Sequence, residues 1–515
     1  MTDTSPDELA EQGSSDSWSR LSPVSVIYFV LRFIVGFARH GIQNVAIFGG
    51  IVFAAGDKRL GIILFALAAG LVALIVASLL SYMNFRFRVN QNAFLIHKGV
   101  LQKSRLTLSF DRIQNIAIKQ PVYFRPFGLV TMALESAGSA SEEVNLAGID
   151  RDLAERLRTT VLARPKDTAT PIADETDSIE VRAGDELLHH GTGELARYGL
   201  SNNNVWVFAG LAAGALSQLG DELGDRIDDW LKMPENYFTS LDTSMAVVAG
   251  AGLLVFVLCL LLAGSVIGAI VIYHDYRLAF ADDRFLRTKG LFERSETSLP
   301  ARKVQALELR QPWPALLLKR THATLLQIGF KNPWEDGNLN PKQTKFIIPS
   351  LTDANVGKLV TILYPGLHWQ GMKLEGVDGL YLKRLFFIDF FFPLLLVSAL
   401  LSSFTTPWFL LLNLVAFLLF PLMQLHYRRQ GYWTDGGYIA VRTGIIGHKL
   451  VIFPIHKAQS VVITRSPGQR RHALASLTIK LAGHKVKIPY VPHSAAQALR
   501  DHILQTVFTN KTPWM

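Results

Sequence analysis

The chain has 515 residues, of which 49% are apolar and 18% charged, and its formal net charge is +10. A charged fraction below the roughly 25% of soluble domains argues against a wholly soluble protein, and so large an apolar fraction excludes a disordered one. The single cysteine, Cys259, excludes an intrachain disulfide and a cysteine-based zinc site.

Residues 1–19 carry five acids and no Lys or Arg. A signal peptide needs a basic start with an apolar core behind it, so residues 1–22 read as a disordered, acidic, Ser-rich tail that stays in the cytoplasm. Residues 60–83 are nearly all apolar and uncharged. At about 1.5 Å per residue they cross a hydrocarbon core of roughly 30 Å. The stretch ahead of them is interrupted by Arg32, Arg39 and His40, and it divides into an interfacial helix near 24–38 and a short span near 41–55. The pattern recurs as 204–220 with 245–273, and as 385–403 with 408–426, so six spans in three hairpins are expected. Seven acids and two bases occupy residues 221–242, whereas Arg86, Arg88, Arg277, Arg428 and Arg429 follow the second span of each hairpin. The positive-inside rule therefore places the acidic loop outside and the three large segments in the cytoplasm. Lys58 and Arg59 run against that assignment.

Each hairpin is followed by a segment of different texture, and the three segments repeat one another. Phe94 to Leu101 is matched by Phe285 to Phe292 and by Tyr438 to Ile446. Gly99, Gly290 and Gly444 each precede a glutamine, Gln114, Gln305 and Gln459, by 15 residues. Leu477, Ile479 and Leu481 alternate with Thr478 and Lys480, and Val486 and Ile488 alternate with Lys485 and Lys487. That is the pattern of half-buried antiparallel sheet. The repeated glycines fall where one strand must turn into the next, a position suited to positive φ. The glutamines read as amides that cap a strand end or cross the sheet. Helical patterns close the segments at 150–163, 353–363 and 494–507, with Asp150, Asp353 and Ser494 as N-caps.

A sheet followed by a closing helix, set behind a membrane hairpin, resembles the bacterial pleckstrin-homology (PH)-like family of membrane-flanked domains (DUF304, bPH2). Three copies in one chain resemble its YdbT-type members. The carrying residues are Lys98-Gly99, Lys289-Gly290 and Thr443-Gly444, then Arg112-Ile113-Gln114, Lys303-Val304-Gln305 and Lys457-Ala458-Gln459, and also Phe127-Gly128-Leu129. Residues 187–203 resemble the family's connecting helix. The third unit departs most, with Arg470-Arg471-His472-Ala473 in place of Phe-Gly-Leu. The resemblance implies an α+β membrane protein with three transmembrane helical hairpins, each followed by a PH-like β-sheet domain closed by a C-terminal helix. The hairpins are expected at 23–84, 204–273 and 371–426, the PH-like domains at 85–165, 274–370 and 427–515, and a linker at 166–203. A bacterial inner-membrane location is implied as well, and so is a one-domain companion of the YdbS type; a homo-oligomer is the other expected assembly. No activity is implied.

The sequence holds no H-E-x-x-H, P-loop, nucleophile elbow or strand-to-helix G-x-G-x-x-G, so a non-enzyme without cofactor or metal is expected. His189-His190 reads as part of a charged connector, and six histidines from His448 to His502 are scattered without ligand spacing. Asp389 lies four residues into the fifth span, near Lys383 and Arg384. Its two readings are a paired structural acid and an ion or substrate site. Gly264 with Gly268, and Gly210 with Gly214, are spaced for close helix packing.

Positive charge concentrates late in the chain. Residues 85–163 hold eleven bases against seven acids, 275–368 fourteen against nine, and 427–515 thirteen against two. Arg428, Arg429, Arg442, Lys449, Arg470, Arg471, Lys485 and Lys487 are the candidate contacts for anionic lipid headgroups or an acidic partner. The plainer reading is a solvated face that obeys the positive-inside rule. Nucleic acid is not expected, because the bases form no reading helix. Two functions compete: a non-enzymatic membrane scaffold, and a transport or export component moving lipid, a peptide or an antimicrobial compound.

Overall fold

The computed structural model describes residues 18–41, 59–90, 92–99, 103–110, 113–136, 144–163, 186–202, 243–327, 346–367, 369–404 and 407–509. Within them the repeat seen in the sequence becomes a repeat of strands. The first copy comprises β1 (Ser19–Arg20), β2 (Arg86–Val89), β3 (Ala93–Lys98), β4 (Ser104–Ser109), β5 (Ile113–Pro121), β6 (Leu129–Ser136) and β7 (Val144–Asp150). The second comprises β8 (Glu186–His190), β9 (Tyr276–Ala281), β10 (Arg284–Lys289), β11 (Glu293–Pro300), β12 (Val304–Gln311), β13 (Thr321–Gln327) and β14 (Phe346–Leu351). The third comprises β15 (Glu375–Gly376), β16 (Gly431–Asp435), β17 (Tyr438–Thr443), β18 (His448–Pro454), β19 (Ser460–Thr464), β20 (Leu474–Leu481) and β21 (His484–Pro492). A helix follows each set, at Arg151–Ala163, Asp353–Leu363 and His493–Thr509.

The chain folds into two compact units. The first holds residues 1–184 with 286–298, and the second holds 185–285 with 299–515. In the first unit β1-β2-β3-β4 form one sheet, and β7, β6 and β5 continue into β11 of the second repeat. In the second unit β14, β13 and β12 continue into β18, β17, β16 and β15 of the third repeat, while β19-β20-β21 form a separate sheet. Two seams thus join strands from successive repeats, and they share one register. The residue five beyond the repeated Gly faces the residue five beyond the repeated Gln: Ser295 faces Lys119 in the first seam, and Lys449 faces Arg310 in the second.

Alternation put the expected side chains inside. Phe94, Ile96, Met132 and Leu134 are buried in the first unit, and Leu477, Ile479, Leu481, Val486 and Ile488 in the last sheet. The three repeated glycines have φ of 107°, 113° and 155°, in the region that L side chains avoid. At Gly290 an added Cβ would collide with the Glu293 carbonyl, and at Gly444 with that of Gly447. A second left-handed position lies 14 residues beyond each Gln, at Gly128, Lys319 and Ala473, with φ of 64°, 51° and 50°. The third repeat therefore keeps the backbone bend although it lacks Phe-Gly-Leu.

Several expectations are corrected. Gln114 and Gln305 each sit where the register shifts, between Ile113 and Asn115 and between Val304 and Ala306, as the extra residue of a β-bulge, and the Gln305 amide donates to the Lys303 carbonyl just ahead of β12 at 3.5 Å. Gln305 is fully buried, whereas Gln459 is exposed just ahead of β19. Asp150 does cap its helix, its Oδ1 accepting from the Asp152 N–H at 2.9 Å. The second helix is capped by Thr352 rather than Asp353, because the shorter hydroxyl side chain accepts from the Asn355 N–H. The third starts at His493, which places Ser494 inside its first turn. The expected connecting helix begins as strand β8 and turns helical at Thr192–Ser201.

Among the described residues, three helices are long and apolar enough to cross a membrane: Val247–Tyr273, Leu380–Ser403 and Trp408–Arg429. Leu254, Leu396 and Leu418 on them are 72%, 69% and 77% exposed, an arrangement suited to hydrocarbon and not to water. These three match the expected spans 245–273, 385–403 and 408–426. The helices Ser25–Gly41 and Arg59–Asn84 precede β2, and their described apolar stretches are Ser25–Ile34 and Ala68–Asn84. The expected spans near 41–55 and 204–220, the acidic loop and most of the N-terminal tail lie outside the described residues. A close helix contact is made instead at Gly199, outside the expected glycine pairs: Ser265 donates to its carbonyl at 2.7 Å, and Val266 leaves no room for a Cβ there; Gly210 and Gly214 lie outside the described residues.

Gly290→Ala is expected to lower stability by about 1–3 kcal/mol, through forced left-handed geometry and the collision with Glu293. Gly437, with open space at its Cβ, serves as the neutral comparison in thermal unfolding of the detergent-solubilised chain.

Candidate binding surface

The last sheet pairs Lys480 with Lys485 and Thr478 with Lys487 across β20 and β21. Alternation drives Ile479, Leu481, Val486 and Ile488 inward, so Lys480, Lys485 and Lys487 share the exposed face. Like charges directly opposed across a ladder repel, and an anion bridging them relieves that repulsion. Arg470 and Arg471 are also exposed, on the short helix Pro467–Arg471. Its start is fixed by a reciprocal capping box between Ser466 and Gln469, and Gln469 donates to Ser476 Oγ at 2.7 Å. Among the described residues none of these five cations forms an ion pair.

The other predicted basic residues have different neighbours. Lys449 reaches across the second seam to Glu308 at 2.8 Å, and Arg310 binds the same carboxylate. Burial alone would raise the Glu308 carboxyl, but Arg310 and Lys449 hold it below its ordinary range. Lys457, from the repeated Lys-x-Gln position, is buried and donates to the Arg302 carbonyl at 2.8 Å and to that of Val304. Its burial pulls the amine down to about 8. Arg442 donates to the Arg429 carbonyl at 3.1 Å, while Arg428 is exposed. One run of positive charge in the sequence is thus divided among a seam, a membrane-proximal turn and an open sheet face.

The third hairpin is fastened to its sheets by a polar and aromatic collar. Its first helix has Tyr381 tilted against Tyr490, ring centroids 5.6 Å apart, with Arg384 5.9 Å over the Tyr490 ring. Its second helix ends near His426, whose Nδ1 lies 2.8 Å from the carbonyl of the repeated Gly444, while Nε2 lies 3.3 Å from Tyr381 Oη and 3.0 Å from Gln430 Nε2. Asp389 falls on a π-helical turn, Phe387–Phe391, 3.6 Å from Arg384. The structure therefore pairs this acid with a cation on its own helix.

A half-buried polar knot, which the sequence did not signal, ties the helix Thr192–Ser201 to β13 and β14. Arg320 grips Glu194 with two hydrogen bonds of 2.9 Å, Ser350 donates to Glu194 at 2.7 Å, and Arg197 also binds it. The Arg320 contact holds the Glu194 carboxyl down to about 2. His322 lies beside this group, Nε2 3.0 Å from Ser201 Oγ and Nδ1 accepting from the Ser350 N–H at 3.3 Å. Burial depresses it to about 4. His190 is buried against Tyr276, and His189 pairs with Asp275 at 3.1 Å. Among the described residues no group of three or more His, Cys, Asp or Glu is placed to hold a metal.

Repeated strand sets with closing helices, interleaved with apolar membrane-length helices, make this a transmembrane protein of repeated PH-like domains. The chain belongs to the bacterial PH domain family, whose model matches residues 31–165, 240–319 and 388–507. It is similar to the UPF0699 transmembrane protein YdbT of Bacillus subtilis (strain 168), with 22% identity over 485 residues, covering 90% of this chain and 93% of that protein. No solved structure matches it.

A histidine kept neutral by burial stabilises the fold above its unfolded pKa of about 6.5 and loses that contribution as pH falls toward its folded value. For His322 the loss falls between pH 6.5 and about 4 and amounts to roughly 3 kcal/mol. His190 shifts in the same direction. The melting temperature is expected to drop across this window, and His322→Gln to flatten the drop.

Proposed function

We propose that the chain is a non-enzymatic scaffold of the bacterial inner membrane, presenting three PH-like domains at the cytoplasmic face to anionic lipid headgroups or an acidic partner protein. The observation that carries this reading is the Lys480–Lys485–Lys487 face, with Arg470 and Arg471 nearby, on the repeat that follows the last membrane helix. Cations left without ion pairs in the described residues, next to a bilayer, gain about 1 kcal/mol each near anionic lipid.

The membrane topology proposed with it has six crossings. It is supported by the strands that flank each hairpin: β1 pairs with β2, β8 with β9, and β15 with β16. A chain that leaves a sheet for the bilayer and returns to the same sheet crosses an even number of times. The basic residues after each hairpin favour the cytoplasm as that side.

Charge reversal in K480E/K485E/K487E is expected to reduce, severalfold, the phosphatidylglycerol and cardiolipin recovered with the full chain purified from native membranes, without altering its melting temperature. Unchanged recovery removes the lipid reading. The transport alternative rests on Asp389, which already has Arg384 as its partner. Asp389→Ala is accordingly expected to leave export phenotypes at the wild-type level, and a loss of flux would favour transport instead.

A further inference from the structure

The two seams join the same pair of edges. In each, the strand after the repeated Gly (β11, β18) lies antiparallel to the strand after the repeated Gln of the preceding repeat (β5, β12). Three repeats contain three strands of each kind, and two seams use two of each. One of each remains. In the first unit β4 ends its sheet, and in the second unit β19 ends its sheet, and neither has a further strand beside it among the described residues.

We propose that β19 of one copy of the chain pairs with β4 of a second copy, making a third seam of the same register between molecules. Each observation needed for this is present inside one chain. The residue five beyond Gly99 is Ser104, and the residue five beyond Gln459 is Thr464, so the seam rule sets Thr464 opposite Ser104. It then sets Ile463 opposite Arg105, Val462 opposite Leu106, Val461 opposite Thr107 and Ser460 opposite Leu108. That pairing takes in the whole of β19, Ser460–Thr464, and the first five residues of β4. Exposure follows the same logic. Three residues beyond the repeated Gln, Ala117 in β5 and Glu308 in β12 are buried in the joined strands, at 5% and 4%, whereas their counterpart Val462 in β19 is 41% exposed. An edge strand that shows backbone donors and acceptors together with an exposed valine is a template for a further strand. The contact uses a different patch on each partner, so it is heterologous, and copies associate head to tail as a ring or a row. This inference stands apart from the lipid reading, because the lysine face takes no part in it.

The test is disulfide trapping in native membranes. Residues directly opposed across an antiparallel pair have Cβ atoms close enough for a cystine after a small adjustment. Ser104 and Thr464 are both exposed, so S104C and T464C leave the core intact. The background is Cys259→Ser, which removes the chain's single thiol. One full-length copy carries S104C with one epitope tag, and a co-expressed full-length copy carries T464C with another. The expected result is a mixed-tag dimer on mild oxidation, severalfold more abundant than with T107C in place of S104C, since T107C is displaced three residues along the strand. A chain bearing both cysteines is expected to give a ladder of multimers. The proposal is overturned if that chain instead closes on itself as a cross-linked monomer, if the thiols capture a protein of different mass, or if the in-register pair traps no better than the displaced one.

Discussion

Antiparallel pairing of Leu307–Gln311 with Ile452–His448 carries backbone hydrogen bonds out of the second repeat and into the third. A sheet of three short strands has two open edges and depends on covering its apolar face for stability. Joined at the seam, the same strands build one core in which Leu307, Leu309 and Tyr364 of the second repeat pack with Ala440 and Ile452 of the third. The Tyr364 hydroxyl donates to the Ile452 carbonyl at 3.1 Å. The repeats are therefore beads only in sequence. In space each sheet of a seam is the property of two neighbours.

The seam also explains how the basic residues are divided. A cation beside a sheet edge serves the fold when the neighbouring strand brings a carboxylate, as Glu308 does for Lys449. Where no strand and no acid arrive, the same residue type stays solvated and available, as Lys485 and Lys487 do. The last sheet keeps its charge because, among the described residues, no strand carrying a carboxylate lies beside it.

Much of this was legible in the sequence. The Gly-to-Gln spacing marked the repeats, alternation around Leu477 and Val486 marked sheet faces, and hydropathy marked the longest helices. What escaped depends on residues far apart in the chain. Nothing near Lys449 announces Glu308, and nothing near Glu194 announces Arg320 or Ser350. Strand β15 is two residues long, too short for a period to register, so the strand ahead of the third hairpin was invisible. The Gln positions were found without their bulges, because a bulge is a property of two paired strands and not of one. Position 14 beyond each Gln was read as Phe-Gly-Leu chemistry, whereas what recurs there is a backbone angle that Lys319 and Ala473 also adopt.

The pairing of β15 with β16 has a consequence for the order of synthesis. Glu375–Gly376 leave the ribosome before the third hairpin, and Gly431–Asp435 leave after it. The sheet that unites the second and third repeats gains its β15–β16 pair only after the intervening apolar helices have been made. Closure over so long a connection is slow, and failed insertion leaves β16 without its outer neighbour and its edge exposed to other chains. Completion of the sheet thus reports, from the soluble side, that the membrane step before it has succeeded.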